Sequence, residues 1–428
     1  MKTWGDDMPR FLRAVAVAAA VAAVPVLVPA TSVAATESRC PQLRLADHWY
    51  GDNAAKIQKV IDERGRCGGK HGERPVAVFD WDNTVIKNDI SDQTVFWMIR
   101  HDKILQPRNK DWRTTSRYMT DAGANALGKA CGTGTPAGKP LPTSKNIACA
   151  DELLSVRKTA KTTTGEEVFA GNNRRYMEAA YAWVAQINAG YRPDEVRAIA
   201  RQARAAALLA PVGATQKVGS STQVAWIRYY PEIKDLIATL NRAGFSTWVV
   251  SASPKEFADV WGSAIGIPPS RTLGIYSLTT NGRINGHLEG CGGHADGADE
   301  IMTYIDGKRC FINERILGIH GPKAMEAAPE TKRQALAGGD ATTDVTMLRD
   351  ATGVRVTLNR NKDELMCRAY DNADGKWAVN PMFIEPFPAL KRTYPCSTTA
   401  YENADGTHGP VLRDDGTIIP DQRDTVHP

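Results

Sequence analysis

Val76-Ala77-Val78-Phe79 is an apolar run without polar alternation, the pattern of a short strand buried on both faces in a parallel sheet. Asp80 stands where that strand ends. Farther on, Ile233, Leu236, Ile237 and Leu240 recur at i, i+3, i+4 and i+7. Pro231 ahead of them suits a first helical turn and Gly244 behind them suits a C-terminal cap, so the spacing predicts an amphipathic helix. Residues 245–250 then read as a second buried strand, ending in Ser251-Ala252-Ser253. A third unit closes on Leu336-Ala337-Gly338-Gly339-Asp340, and residues 354–358 read as a further strand. Helices alternating with buried strands predict an α/β fold built on a doubly wound, mostly parallel sheet.

The stretches between these units differ in character. A helix is expected over 53–62, followed by a Gly-rich turn at Cys67-Gly68-Gly69. Residues 174–188 and 194–209 are Ala-rich with helical spacing, whereas 132–142 is a loop of Gly, Pro and Thr. The segment 91–224 therefore reads as a mostly helical cap inserted into a core formed by 36–90 and 225–396. A smaller insertion, 275–293, carries a hairpin signal at Asn281-Gly282. From 397 to 428 the chain is polar, rich in Asp, Gly, Thr and Pro, and reads as an ordered-to-frayed tail. No internal repeat is expected.

Lys2, Arg10 and Arg13 precede an apolar run from Ala14 to Ala30, and Ser32-Val33-Ala34-Ala35 offers cleavage after Ala34 or Ala35. Residues 1–35 thus read as a signal peptide. The competing reading, an uncleaved anchor, is opposed by Pro25 and Pro29. No later segment is apolar enough to span a bilayer, so a secreted, periplasmic or envelope location is expected. The cysteines agree: Cys40, Cys67, Cys131, Cys149, Cys291, Cys310, Cys367 and Cys396 make an even count, which in an oxidising compartment means disulfides. Sequential pairing (Cys40 with Cys67, Cys131 with Cys149, Cys291 with Cys310, Cys367 with Cys396) is the simplest of many connectivities. The alternative is a zinc site at Cys291-Gly292-Gly293-His294, which lacks a second cluster at ligand spacing.

Composition sets only bounds. A length of 428 residues allows a full core plus a smaller domain or a large insertion, and 42% hydrophobic with 24% charged residues exclude a disordered or fibrous chain. The net charge of +5 is spread along the sequence rather than gathered in basic runs, so no nucleic-acid partner is expected. Oligomeric state is left open.

Chemistry gathers at the expected strand ends, where ligands of open α/β sheets collect. Asp80 and Asp82 leave the first strand together in Asp80-Trp81-Asp82-Asn83-Thr84, and their repulsion in one pocket calls for a cation. Ser251 ends the second strand with a hydroxyl able to bind a phosphate oxygen. Asp340 and Asp344 add carboxylates to the same rim, and an all-oxygen set without His or Cys favours Mg2+ over zinc. The bland reading of Asp80 and Asp82 is a solvated turn. Ser253, before Pro254-Lys255-Glu256, reads first as a helix cap. His287, His294 and His320 have no partner pattern and receive no role.

This ordered set resembles the haloacid dehalogenase-like phosphatase superfamily, over residues 76–84, 245–253 and 338–344. The resemblance implies a small-molecule phosphomonoester substrate, Asp80 as the nucleophile that forms an aspartyl-phosphate, and Asp82 as general acid and base. It further implies Thr84 orienting Asp82, Ser251 binding the phosphoryl group, and Mg2+ on Asp80, the Asp82 backbone carbonyl and Asp340, with Asp344 as a nearby ligand or supporting partner. A cation before the last motif is also implied. Lys308 has the Gly-Lys lead-in of related enzymes, with Lys323 and Lys332 as alternatives. The Asp-x-Asp-Asn-Thr form is similar to a secreted branch of phosphorylcholine phosphatases, for which Trp97, Trp112, Trp183 and Tyr118 are candidates for a choline cage against the ordinary reading of core packing. A phosphoserine-like specificity is open as well. Two other classes stand beside the hydrolase: a phosphotransferase or mutase using the same aspartyl-phosphate, and a non-catalytic secreted binding protein on a degenerate copy of the fold.

Overall fold

The computed structural model describes residues 40–67 and 72–427. The signal peptide with its cleavage positions, and Gly68-Gly69 of the early turn, lie outside the described residues. Six strands form the central sheet: β1 (Val76–Phe79), β2 (Ser246–Pro254), β3 (Thr272–Ile275), β4 (Leu336–Gly339), β5 (Val354–Asn359) and β6 (Trp377–Pro381). Their spatial order is β6-β5-β4-β1-β2-β3, with every neighbouring pair parallel. The chain winds outward from β1 through β2 to β3, then crosses back and winds the other way from β4 to β6. This is the doubly wound α/β arrangement expected from the alternation of strands and helices, and it places the reversal of winding between β1 and β4. Both strands are buried along most of their length, which is why their sequences run apolar or small without alternation.

The helix Pro231–Arg242 buries Ile233, Leu236, Ile237 and Leu240 on the face the spacing predicted, with Pro231 in its first turn and Gly244 at φ 84° just past its end. The early helix runs Asn53–Arg64. Between β1 and β2, the segment 91–224 holds helices Asp121–Cys131, Ile147–Thr159, Ala179–Gln186 and Pro193–Leu209, then a hairpin of Thr215–Val218 with Ser221–Val224. Helix Pro193–Leu209 packs against the core helix Lys255–Ser263. The expected helix over 174–188 is shorter. Residues 172–178 bond outward instead: Arg174 N–H donates to the Ala404 carbonyl (2.9 Å) and Tyr176 accepts from Met302 N–H (3.0 Å), so the helix begins only where Glu178 caps Ala180 N–H. In the small insertion, Ser277–Thr280 pairs with Arg283–Leu288, with Asn281 and Gly282 both at positive φ as a tight hairpin turn requires.

All four disulfides join sequential cysteines. Cys291 and Cys310 are taken up by one of them, which removes the thiolates a zinc site there would need. Among the described residues, no helix is long and apolar enough to cross a membrane.

The end of the chain, expected to be an ordered-to-frayed tail, lies at the ordered end of that range. Cys396 ties it to Cys367, Tyr401–Glu402 pairs with His408–Gly409, and Val411, Ile419 and Val426 are buried. It also contains a short repeat that the sequence reading missed. In 401–410 and again in 411–420, an Asp-Gly-Thr turn has the Thr N–H (2.9 Å) and hydroxyl (2.6 Å) donating to the Asp carboxylate, at Asp405 and at Asp415. Such local bonds let a polar segment hold fixed turns without a core of its own.

Candidate active site

Asp80 follows β1 directly, its N–H donating to the Gly338 carbonyl across the sheet at 2.9 Å. Asp340 follows β4, so the winding reversal brings the two carboxylates side by side. Asp344 reaches them from the next turn because Gly339 has no side chain: a Cβ there would lie 2.6 Å from the Asp344 Cβ. The Asp344 carboxylate accepts from Asp340 N–H and Ala341 N–H, both at 3.0 Å, and from the Thr343 hydroxyl at 3.1 Å. Carboxylate oxygens of Asp80, Asp340 and Asp344 all lie within 4.8 Å of one another, and all three residues are buried. Lys308, on helix Asp306–Arg315 and fully buried, places Nζ 2.6 Å from both Asp80 Oδ1 and Asp344 Oδ1. Lys323 and Lys332 are exposed on other segments, so of the three lysines weighed, Lys308 is the one the fold brings here.

Asp82 is turned away from this cluster. Its Oδ1 accepts from Ile90 N–H (2.6 Å), an open amide in the first turn of helix Ile90–Arg100, and its Oδ2 accepts from the Ser253 hydroxyl (2.7 Å). Two expectations are corrected here. Thr84 does not orient Asp82; its hydroxyl donates to Asp340 Oδ1 at 2.5 Å, because the bend at Asn83 (φ 63°) swings the chain back toward β4. Ser253 does not cap the following helix, whose N-cap is Pro254 without any side-chain bond. Ser251 is fully buried, its hydroxyl accepting from Ser253 N–H at 3.1 Å and its carbonyl from the Thr303 hydroxyl at 2.6 Å.

Asp80, Asp82 and Asp340 line a cavity of about 630 Å³. Thr84, Ser251, Lys308 and Asp344 are buried and are not among the residues that line it. Arg360 was not foreseen: it follows β5 and reaches Asp340 Oδ2 at 2.5 Å, a residue that the strand-end rule pointed to once residues 354–358 were read as a strand. Ser91 and the C-terminal residues Glu402 and His408, also on the cavity wall, were missed as well, the last two because a polar composition hid the tail's packing. The four aromatics weighed for a choline cage lie elsewhere. Trp112 and Trp183 are core residues, Trp97 stacks on His101, and the Tyr118 hydroxyl donates to the Asp299 carbonyl. The aromatic lining is instead Phe96, Tyr181 and Tyr304, and the Arg157 guanidinium already sits 5.0 Å over the Tyr181 ring.

Burial pushes the Asp80 carboxyl well above the usual range, reinforced by Asp344 and opposed by Lys308. Burial does the same to Asp82, reinforced by Asp89 and Asp80, and raises Asp340, where Arg360 pulls back. For Lys308 burial disfavours the charge, but Asp344 and Asp80 together more than offset it. The three clustered carboxylates form an oxygen-only donor set that fits a hard divalent cation such as Mg2+; the contribution expected from Asp82 is its backbone carbonyl. A sign follows for stability. Raised folded-state values mean that stability is fully present below the ordinary carboxylate range and is lost as pH climbs through the raised values. Metal-free protein is therefore expected to melt lower at pH 8 than at pH 5, and excess magnesium to raise the melting temperature more at pH 8 than at pH 5. Melting curves at both pH values with magnesium or EDTA check this; a magnesium shift that is absent, or larger at pH 5, counts against a metal on these carboxylates.

No family model and no curated protein matches the sequence. Among solved structures, a conserved protein of unknown function from Anaerococcus prevotii has a TM-score of 0.56 at 17% identity, covering 78% of this chain and 95% of that one, and shows a shared fold. A protein of unknown function from Bordetella pertussis matches at TM-score 0.43 and 16% identity, over 73% of this chain and 100% of that one. A substrate-bound phosphoserine phosphatase matches at TM-score 0.29 and 11% identity, over 67% and 87%. These last two are too distant to carry an argument about this chain.

Proposed function

We propose that the chain is an exported, Mg2+-dependent phosphomonoesterase of the haloacid dehalogenase-like superfamily, with Asp80 as nucleophile. The observation that carries the reading is Asp80 itself: a buried carboxylate at the strand-end switch point, paired with a fully buried lysine, beside two further carboxylates and open to a cavity. An Asp80 oxygen attacks phosphorus in line, the ester bond to the leaving oxygen breaks, and Asp82 delivers its proton to that oxygen. Asp82 then takes a proton from water, whose oxygen attacks the aspartyl-phosphate and frees inorganic phosphate and Asp80. Lys308 holds the Asp80 carboxylate in place and offsets developing charge. Ser251, the buried residue that ends the second strand run, is the one we assign to the phosphoryl group, and Thr84 fixes Asp340. A divalent cation on Asp80, Asp340 and Asp344 would supply charge neutralisation for the phosphoryl oxygens. Four disulfides favour an oxidising compartment and hence export.

The test is phosphate release by purified protein from p-nitrophenyl phosphate, phosphorylcholine and phosphoserine, with magnesium or EDTA. Turnover with magnesium and loss of at least about a hundredfold in EDTA is expected. Release only when an added alcohol or sugar captures the phosphate would favour a phosphotransferase, and no turnover of any ester by folded protein would favour a binding role.

A further inference from the structure

In this chain Asp82 is bonded not by the residue two positions on but by Ser253, which is bonded in turn by Ser91, both from distant segments. Ser91 Oγ donates to Ser253 Oγ at 2.8 Å, and Ser253 Oγ donates to Asp82 Oδ2 at 2.7 Å. The other Asp82 oxygen is pinned by Ile90 N–H, so both carboxylate oxygens are fixed by protein donors. Ser253 and Ser91 line the cavity, yet both are almost wholly buried, at 2% and 4% exposure. The backbone is shaped to bring Ser253 there. The pairing of β2 with β3 slips between Val250 and Pro254, the irregularity that re-aims side chains at a strand end. Opposite the slip stands Gly274, where a Cβ would lie 2.8 Å from the Ser253 carbonyl oxygen. A serine needed only to cap a helix would not require this approach.

We infer that Ser253, backed by Ser91, is the positioning residue for the general acid and base, an inference that rests on the phosphatase reading above. A hydroxyl suits the task because it donates to one lone pair of Asp82 Oδ2 and leaves the other for the proton exchanged with the leaving oxygen or with water. Ser91 donates in turn to Ser253, so the chain of hydroxyls keeps one direction throughout. The helix start at Ile90 holds the second oxygen throughout, which leaves the proton-bearing oxygen as the one whose direction Ser253 sets.

The test compares kcat/KM on two esters that differ in need for a proton. This ratio reports the steps up to departure of the leaving group, where Asp82 acts as acid. Phenyl phosphate has a poor leaving group and p-nitrophenyl phosphate a good one. Ser253→Ala is expected to lose about tenfold to a hundredfold on phenyl phosphate and no more than about threefold on p-nitrophenyl phosphate. Asp82→Asn should show the same selectivity more strongly, and Ser253→Thr should return phenyl phosphate turnover to within about threefold of the parent. The magnesium-dependent melting shift of Ser253→Ala shows whether the variant retains the folded site. Equal losses on both esters, or no loss, would overturn the assignment while turnover by the parent protein left the phosphatase reading standing. A parent protein inactive on both esters would overturn the two together.

Discussion

Asp80→Asn is expected to melt at or above the temperature of the parent in metal-free buffer, while phosphate release falls by at least about four orders of magnitude. The two halves of this result have one cause. Asp80 sits where its surroundings as a whole disfavour a charge, since burial and the neighbouring Asp344 outweigh the pull of Lys308. Asparagine has nearly the same shape, keeps an oxygen able to accept from Lys308, and brings no charge to bury, so the fold loses little. The chemistry loses its nucleophile: an amide oxygen cannot form the covalent phosphoryl intermediate under these conditions. Thermal melts and phosphate assays on the same preparation decide the matter. Residual activity above about one per cent would remove Asp80 from the nucleophile's role, and a collapse in melting temperature would mean that its charge is structural.

The fold and the centre of the site were legible for a shared reason. Strands buried on both faces are written largely in apolar or small residues, so β1 and β4 show themselves as short unbroken runs and β5 through Val354, Val356 and Leu358, and the polar residue that ends each marks the ligand side of the sheet. Asp80 and Asp340 were found that way, and Arg360 was within reach of the same rule. Lys308 was reachable only by resemblance, because it arrives from a helix with no fixed spacing to β4. What stayed hidden are contacts between segments far apart in sequence. The bond from Thr84 to Asp340 and the chain from Ser91 through Ser253 to Asp82 depend on a left-handed bend at Asn83 and a slipped register in β2, neither of which has a periodic signature. The C-terminal segment misled through composition, since its turns are held by side chain to backbone bonds and its few apolar residues, Val411 and Ile419, are spaced too widely to show a pattern. The choline cage failed for the opposite reason: Trp112 and Trp183 are conspicuous in sequence, and large aromatics are core residues more often than ligands.

Lys308→Met is expected to cost about 3–5 kcal/mol, the range for removing one partner from a buried ion pair, and to lower the melting temperature by on the order of 5 °C or more. Methionine fills much of the lysine's volume without a charge, so the cost comes from Asp80 and Asp344, two largely buried carboxylates left without the cation they share. Arg360 cannot substitute, because it is held on Asp340 from the cavity side. Two consequences separate this electrostatic account from lost packing. Excess magnesium should raise the melting temperature of Lys308→Met by more than it raises that of the parent, since the cation then meets carboxylates that nothing else offsets. The double variant Lys308→Met with Asp80→Asn should be more stable than Lys308→Met alone, with a coupling of at least about 1 kcal/mol, because removing one buried carboxylate relieves the repulsion that removing the lysine exposed. Phosphate release by the single variant should fall about a hundredfold to a thousandfold as the developing phosphoryl charge loses its buried counter-ion. Strictly additive melting shifts in the double variant would assign Lys308 to packing, and the pairing with Asp80 would then have no part in the chemistry.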